Sequence, residues 1–169
     1  MFLGVKILRD RSRRTLGLSQ ETYLKKVLER FKMDKAKPID TPVMKNHGLS
    51  LNDCPKTDAD KARMTNVPYA SAIGSLMYAM VCTQPDLAYA IGLLSRFQSD
   101  PGIPHWNAVK RVLRYLVGTT NYTLCYGGSD LRLQGYTDAD WAGDLDERKS
   151  TSAFVFMLNG GAISWRSNK

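Results

Sequence analysis

The sequence predicts an α+β fold with a β-hairpin at the N-terminus, a helical middle and antiparallel strands at the C-terminus. Residues 2–20 contain two short β-prone runs around a basic turn. Apolar residues recur at helical spacing between residues 68 and 118, and β-prone runs return after residue 122. A chain of 169 residues is long enough for one sizeable core or two small ones.

The N-terminal third is predicted to contain one hairpin and one helix. Ser19 is the predicted N-cap of a helix that runs to about Lys32. Five apolar residues fall on one stripe of that helix: Tyr23, Leu24, Val27, Leu28 and Phe31. Residues 34–66 hold three prolines and no apolar period, which is typical of a linker or a surface loop.

Three helices and four strands are predicted in the remainder. The helices cover residues 68–81, a segment that begins near Thr83 with Pro85 and Asp86 in its first turn, and residues 104–118. The strands cover residues 122–126, 131–138, 152–158 and 162–165. Turns are predicted at 128–130 and at Asn159-Gly160-Gly161, because Asn-Gly between β-prone runs is a strong hairpin signal.

The composition, 43% hydrophobic and 24% charged, is that of an ordinary soluble globular protein. No segment approaches the roughly 20 apolar residues that cross a membrane, and the N-terminus lacks the order of a signal peptide. Cys54, Cys82 and Cys125 form no CxxC pair and are interpreted as reduced thiols. We therefore expect a cytoplasmic or nuclear protein with no membrane partner.

The net charge of +8 favours a polyanionic partner, although a soluble protein can also be basic without one. The predicted helix at 104–118 places Lys110, Arg111 and Arg114 opposite its apolar side. These cations could contact a nucleic-acid backbone, or they could form a solvated basic face on a packed helix. The residues alone leave both interpretations open.

Arg111-Val-Leu-Arg114 also matches R-x-L-R, a pattern associated with secreted effectors of plant pathogens. The alternative hypothesis is therefore a co-opted or secreted effector-like protein that binds a host protein. Two observations count against it: no signal peptide precedes the pattern, and Leu113 belongs to the apolar side of the helix.

The strongest candidate for a reactive or metal-binding site in the sequence is an acidic cluster. It comprises Asp138, Asp140, Asp144, Asp146 and Glu147. Asp138 ends a β-prone run, and Asp140 would share its face of the strand. Carboxylates held in this way are ligands for Mg²⁺, but a two-metal site needs several of them from different elements. A loop that is acidic for solubility is the alternative. His47 and His105 have no Ser or Cys partner at a known motif spacing.

Several longer motifs occur in order along the chain: Pro68–Tyr78, Gln84–Asp86, Leu94–Phe97, His105-Trp106, Lys110–Thr119, Gly135–Asp144 and Arg148–Ser152. Together they resemble the Pol polyprotein of copia-type LTR retrotransposons over nearly the whole chain. The sequence departs from that pattern at Gln84, where Arg is usual, and at Ala153-Phe154, where Gly and an aromatic residue are usual.

The resemblance implies three parts. Residues 1–20 correspond to the end of the reverse transcriptase palm, and residues 21–120, with the loop 34–66, to the helical thumb and connection. Residues 121–169 correspond to the beginning of an RNase H-like domain, whose sheet would be incomplete here. We expect residues 122–169 to fold poorly alone, because their sheet would keep an exposed face and edge.

The resemblance also assigns site residues. Lys110, Arg111 and Arg114 would contact a duplex, with Arg148 and Lys149 as further nucleic-acid-binding residues. Asp138 would be the first metal-binding carboxylate of RNase H, with Asp140 as the second, weaker candidate. Mg²⁺ is the cofactor that the family implies.

In the family, the polymerase aspartates precede the matched segment, and the other RNase H carboxylates follow it. One carboxylate cannot hold two Mg²⁺ ions against the cost of dehydrating them. We therefore predict a truncated reverse transcriptase/RNase H fragment that is catalytically inactive alone, holds Mg²⁺ weakly and binds RNA–DNA or other duplexes without sequence specificity. Its expected partners are nucleic acid and the remainder of the polyprotein.

Overall fold

The computed structural model describes residues 3–128 and 131–169. This part of the chain forms five α-helices and two three-stranded antiparallel sheets. The helices are α1 (Glu21–Arg30), α2 (Asp58–Met64), α3 (Tyr69–Cys82), α4 (Ala88–Ser95) and α5 (Ile103–Thr119). The strands are β1 (Lys6–Asp10), β2 (Thr15–Ser19), β3 (Thr123–Gly127), β4 (Gln134–Ala139), β5 (Ser152–Leu158) and β6 (Gly161–Asn168).

The first sheet has the order β1-β2-β3 and joins the two ends of the helical region. Leu16 lies opposite Tyr126 and Leu18 opposite Leu124. The sequence-based division places β3 with the later strands, and the structure differs from it in this respect. A two-stranded hairpin is marginally stable in water, and pairing with β3 gives β2 a partner on its second edge.

The second sheet is a meander with the order β4-β5-β6. The turn between β5 and β6 holds Asn159 at φ 53° and Gly160 at φ 81°. Two successive residues with positive φ are what a two-residue hairpin turn requires, so the Asn-Gly prediction is confirmed. Ser129 and Asp130, which belong to the other predicted turn, lie outside the described residues, as do Met1 and Phe2.

The predicted helices are confirmed, with differences at their starts. Gln20 rather than Ser19 is the N-cap residue of α1, and Ser19 Oγ accepts a hydrogen bond from Glu21 N at 3.3 Å. The segment after Thr83 begins with a 3₁₀ turn at Pro85–Leu87 and becomes α-helical at Ala88. Because proline lacks an N–H, a tight turn at the start of the segment suits Pro85.

Helix α2 lies within the segment 34–66, for which the sequence predicts a linker or a surface loop and no helix. Thr57 caps it, since Thr57 Oγ1 accepts a hydrogen bond from Asp60 N at 3.2 Å. None of the residues of α2 is buried, so the helix has no apolar stripe that a periodicity search could detect.

The hydrophobic core lies among the helices. Side chains with no more than 1% exposure include Leu24 from α1, Leu76 from α3, Leu94 from α4, and Val109, Val112, Leu113 and Leu116 from α5. The predicted apolar side of the helix at 104–118 is thereby confirmed. α5 contacts α1, α2, α3 and α4, and its other side carries the three cations.

Polar contacts join the second sheet to the helical region and to the first sheet. Trp165 Nε1 donates to the Met80 carbonyl at 3.1 Å, and Tyr126 Oη donates to the Ala162 carbonyl at 2.7 Å. A Cβ on Gly161 would lie 2.5 Å from the Cys125 carbonyl oxygen. Only glycine therefore permits the close approach between the first residue of β6 and β3.

His105 fixes the start of α5 to the preceding loops. Its Nδ1 accepts from Gly102 N at 2.9 Å, its Nε2 lies 3.1 Å from the Ser50 carbonyl, and its ring stacks on Phe97 with the centroids 3.9 Å apart. The side chain is fully buried, and burial lowers the pKa of His105 below 6.5. His105 thus has a structural role at the helix start.

Among the described residues, no helix combines the length and the apolar character required to cross a membrane. Cys54, Cys82 and Cys125 are all free thiols.

Leu113→Ala should lower the free energy of unfolding by about 3 kcal/mol, because it removes buried methyl groups and leaves a cavity in a packed core. Urea denaturation followed by circular dichroism measures the change. Leu133→Ala is the matched control, since Leu133 is exposed, and it should change stability by less than about 0.5 kcal/mol. Equal losses in the two variants would contradict the position of the core.

Stability should decrease as the pH falls from about 7.5 to about 5.5, because the unfolded state takes up a proton on His105 at a higher pH than the folded state. The neutral ring is required to accept from Gly102 N, and its stabilising effect is complete only above the unfolded pKa of 6.5. Urea midpoints measured across this range test the expectation. The urea midpoint should depend less on pH in His105→Gln than in the wild type. His47→Gln should reduce the pH dependence by a smaller amount, since burial lowers the pKa of His47 as well.

Candidate nucleic-acid interface and acidic loop

The predicted basic face lies on α5, but it is not a freely solvated surface. Lys110, Arg111 and Arg114 are half-buried, because residues 37–49 pass beside them. Arg111 Nη2 donates to Thr41 Oγ1 at 2.9 Å, and Arg114 Nε donates to the Lys37 carbonyl at 2.8 Å. The two arginines therefore hold this loop against α5 as well as carrying charge.

The R-x-L-R pattern is part of the same helix. Leu113 has 0% exposure and packs in the core, while the two arginines of the pattern contact the loop. A partner could therefore contact Arg111 and Arg114 but could not reach Leu113 without unfolding α5.

The other two predicted nucleic-acid-binding residues lie in the loop between β4 and β5. Arg148 is exposed and has a φ of 56°, and its N–H donates to the Asp144 carbonyl at 3.0 Å. Lys149 Nζ lies 2.6 Å from Glu147 Oε2 in an exposed ion pair. The structure brings neither residue to the α5 face.

Asp138 lies on β4, a strand whose six residues are all exposed. One of its carboxylate oxygens accepts from Ala139 N at 2.8 Å. Asp138 also lines a cleft of about 380 Å³ together with Tyr136 and Trp165 of the same sheet and with Asp86 and Tyr89 of the helical region. One further carboxylate thus lines the same cleft as the predicted catalytic residue.

Asp86 is that further carboxylate, and the sequence indicates it only as a helix-start residue. Tyr115 Oη donates to Asp86 Oδ2 at 2.5 Å, which ties the start of the 85–95 segment to α5. Burial and this hydrogen bond raise the pKa of Tyr115 well above its usual range. Asp86 is therefore engaged with α5, and no motif-based signal would have paired it with Asp138.

The rest of the acidic cluster stabilises its own loop and joins the loop to the helical core. Asp140 accepts from Thr151 N, and Asp146 accepts from Leu51 N at 2.9 and 3.1 Å. These bonds direct Asp140 towards its own loop, whereas the sequence places it beside Asp138 on a strand face. Strand β4 ends at Ala139, so the alternation that pairs the two aspartates stops before Asp140.

Asp144 is the most buried carboxylate of the cluster, with a side chain that is 0% exposed. Arg96 Nη1 lies 2.8 Å from its Oδ1, Lys169 Nζ contacts its Oδ2, and Glu147 N donates to Oδ2 at 2.9 Å. Burial alone would raise the pKa of Asp144, but the hydrogen bonds from Lys169 and Glu147 N and the charge of Arg96 outweigh it and lower the pKa to about 2. We call this arrangement the Asp144 clasp.

The positions of the acidic side chains determine whether they could hold Mg²⁺. Within residues 3–128 and 131–169, no three His, Cys, Asp or Glu side chains converge in a way that could hold a metal ion. Asp140, Asp144 and Asp146 are engaged in other contacts, and Asp138 remains as the exposed carboxylate of β4. The described residues do not by themselves fit a two-metal site.

Asp144→Asn should lower the free energy of unfolding by about 3 kcal/mol, because it removes one partner of a buried ion pair. This value is near the lower end of the usual cost, since Arg96 and Lys169 can turn to solvent. In the wild type, the stabilisation is complete above pH 3.8 and is lost as the pH falls towards 2, since the folded pKa is depressed.

Urea denaturation at neutral pH and at several acidic pH values tests the Asp144 clasp. Glu21→Gln is the matched control, because Glu21 is exposed and pairs only with the exposed Lys25 of α1 in the ion pairs given for it; its effect should be much smaller. If the two substitutions destabilise equally, the clasp is not the attachment that the structure indicates.

The chain is similar to several known proteins. It is 58% identical over 165 residues to the retrovirus-related Pol polyprotein from transposon TNT 1-94 of Nicotiana tabacum, which covers 98% of this chain and 12% of the relative. It is 40% identical over 169 residues to the corresponding polyprotein from transposon RE2 of Arabidopsis thaliana, covering 99% of this chain and 11% of the relative. The chain thus spans about one eighth or less of these polyproteins.

A third relative carries a different name. The secreted RxLR effector protein 161 of Plasmopara viticola is 58% identical over 107 residues, which cover 63% of this chain and 75% of that protein. No family model matches the chain, and no solved structure matches it. The similarity to transposon polyproteins extends over nearly the whole sequence, whereas the similarity to the effector covers under two thirds of it. Over nearly its whole length, the chain is therefore similar to one segment of the retrovirus-related Pol polyproteins from transposons.

Proposed function

We propose that the chain is the segment of a copia-type Pol polyprotein that links the end of the reverse transcriptase to the start of RNase H, and that it binds nucleic-acid duplexes through their phosphates. The observation that carries this proposal is the row of Lys110, Arg111 and Arg114 on the side of α5 opposite the core. A net charge of +8 supports it, because cations that contact phosphates release counterions.

The contacts of the two arginines with the loop are compatible with phosphate binding. Each contact uses one N–H of a guanidinium group that has five. Contacts that hold a guanidinium in place reduce the side-chain entropy lost on binding, and a fixed guanidinium can donate two parallel hydrogen bonds to a phosphate. Contacts with phosphates carry no base information, so we expect little sequence preference.

The strands β4, β5 and β6 fit the opening antiparallel meander of an RNase H-like sheet, with Asp138 as its first carboxylate. We propose that this segment does not cleave RNA by itself, because a two-metal site requires carboxylates from several elements. Mg²⁺ would be held only when the remaining carboxylates of the polyprotein are supplied. The remainder of the polyprotein is therefore the proposed protein partner.

The 58% identity to a secreted RxLR effector protein favours a second candidate function, an interaction protein that binds a host protein. Under this hypothesis Arg111 and Arg114 would form part of a protein-binding surface. Leu113 could not contribute, since it is buried in the core. Binding to a protein surface need not share the steep salt dependence of phosphate contacts, which separates the two hypotheses.

The purified chain should bind a fluorescein-labelled RNA–DNA hybrid with an affinity that decreases steeply with salt, measured by fluorescence anisotropy. Lys110→Gln should reduce the slope of log K against log salt concentration by about 1, the change expected on losing one phosphate contact. This lysine is the clean probe, because neutralising Arg111 or Arg114 would also release the loop. Replacement of all three cations by Gln should reduce the slope further.

Lys26→Gln is the matched control, because Lys26 is exposed on α1 and its replacement removes the same charge from another surface. Equal effects of the two single substitutions would show that binding is not located on α5, and binding that does not respond to salt would contradict the phosphate mechanism. Cleavage is monitored in the same tube with Mg²⁺ present. Cleavage that Asp138→Asn abolishes would refute the proposal that this segment is inactive alone.

A further inference from the structure

A groove runs along the cationic side of α5, between α4, α5 and the loop that the two arginines hold. Its volume is about 580 Å³, within the range of pockets that bind small molecules. Apolar side chains form much of its surface: Met33, Val43, Leu49, Leu93, Leu94 and Ala108. We call it the α5 groove.

The charged side chains that line the α5 groove are all cationic. Lys110, Arg111 and Arg114 all line it, and no acidic side chain of the described residues does. The Nε atom of Arg111 is buried and has no hydrogen-bond partner among the described residues. The groove therefore combines an apolar surface with three cationic side chains that an anionic ligand could contact.

We propose that the α5 groove binds a small organic anion with an apolar body, such as a medium-chain or aromatic acid. The anionic head would contact the three cations, and the apolar body would lie over the half-buried side chains of Val43 and Ala108. A duplex backbone has phosphates but no apolar body of this kind. The inference therefore goes beyond duplex binding and does not depend on it.

The walls of the groove combine a fixed side and an adaptable side. The loop is held by the bonds from Arg111 and Arg114 and by Leu49 N, which donates to His47 Nδ1 at 3.1 Å. Met44, which also lines the groove, is 54% exposed, and its unbranched thioether can adjust to ligands of different shape. A largely preformed site in which one side chain, that of Met44, adjusts to the ligand loses little entropy on binding.

Dodecanoate and dodecanol are the probes, since they share an alkyl chain and differ in charge. Both are titrated below the micelle concentration into the full chain labelled with carbon-13 at the methionine methyl groups. The resonances of Met33 and Met44 should shift and saturate with dodecanoate, while those of Met77 and Met157, which lie outside the groove, should not. Dodecanol should bind about tenfold more weakly, the factor for losing one hydrogen bond to a charged group.

Two variants test the location. Lys110→Glu should weaken dodecanoate binding by about tenfold or more, and Lys26→Glu, with the same change of charge on α1, should leave it unchanged. Ala108→Trp should fill the groove and abolish the shifts of Met33 and Met44. The inference is overturned if dodecanol binds as tightly as dodecanoate, if Met77 and Met157 shift at the same concentrations, or if Lys110→Glu and Lys26→Glu have equal effects.

Discussion

The burial of one side of α5 is the constraint on which the other contacts depend. Val109, Val112, Leu113 and Leu116 are completely removed from solvent, and α1, α2, α3 and α4 all contact the helix. Because its apolar side must face the core, its cations must face the opposite way, where Arg111 and Arg114 hold the adjacent loop. The first turn is fixed by His105, and Tyr115 anchors the segment that leads into α4. The helix thus determines both the packing of the bundle and the position of the charged surface.

The acidic loop shows how similar side chains acquire different physical roles. Asp138 is exposed on β4, whereas Asp144 is buried and compensated by two cations. A carboxylate loses its hydration on burial, and only close opposite charges and N–H donors can offset that loss. The two cations, Arg96 and Lys169, directly follow α4 and β6, so the loop cannot take this conformation without the rest of the fold. The electrostatic role of the loop is therefore largely structural, apart from Asp138.

Strongly periodic or chemically distinctive segments were predictable from the sequence, and contacts between distant segments were not. The apolar stripe of α5, the helix α3 and the Asn159-Gly160 turn follow from local spacing and from backbone preferences. Helix α2 has no buried residue, and so its only signal was the Thr57 cap. The pairing of β3 with β2, the position of the loop beside Lys110 and the cleft that Asp86 and Asp138 both line depend on tertiary packing. Sequence motifs indicated the family but could not show which acidic residues the loop itself uses.

The sheet β1-β2-β3 has a consequence for the order of folding. Ser19 pairs with Thr123, and the two residues are about a hundred positions apart in the chain. Closing so long a loop has a large entropic cost unless the intervening helices have already brought its ends together. Contacts of this kind slow folding, because local helices form on much shorter timescales than strand pairing between distant segments. During synthesis on the ribosome, the β1–β2 hairpin emerges before β3, and one edge of the hairpin stays open to other chains until β3 pairs with it.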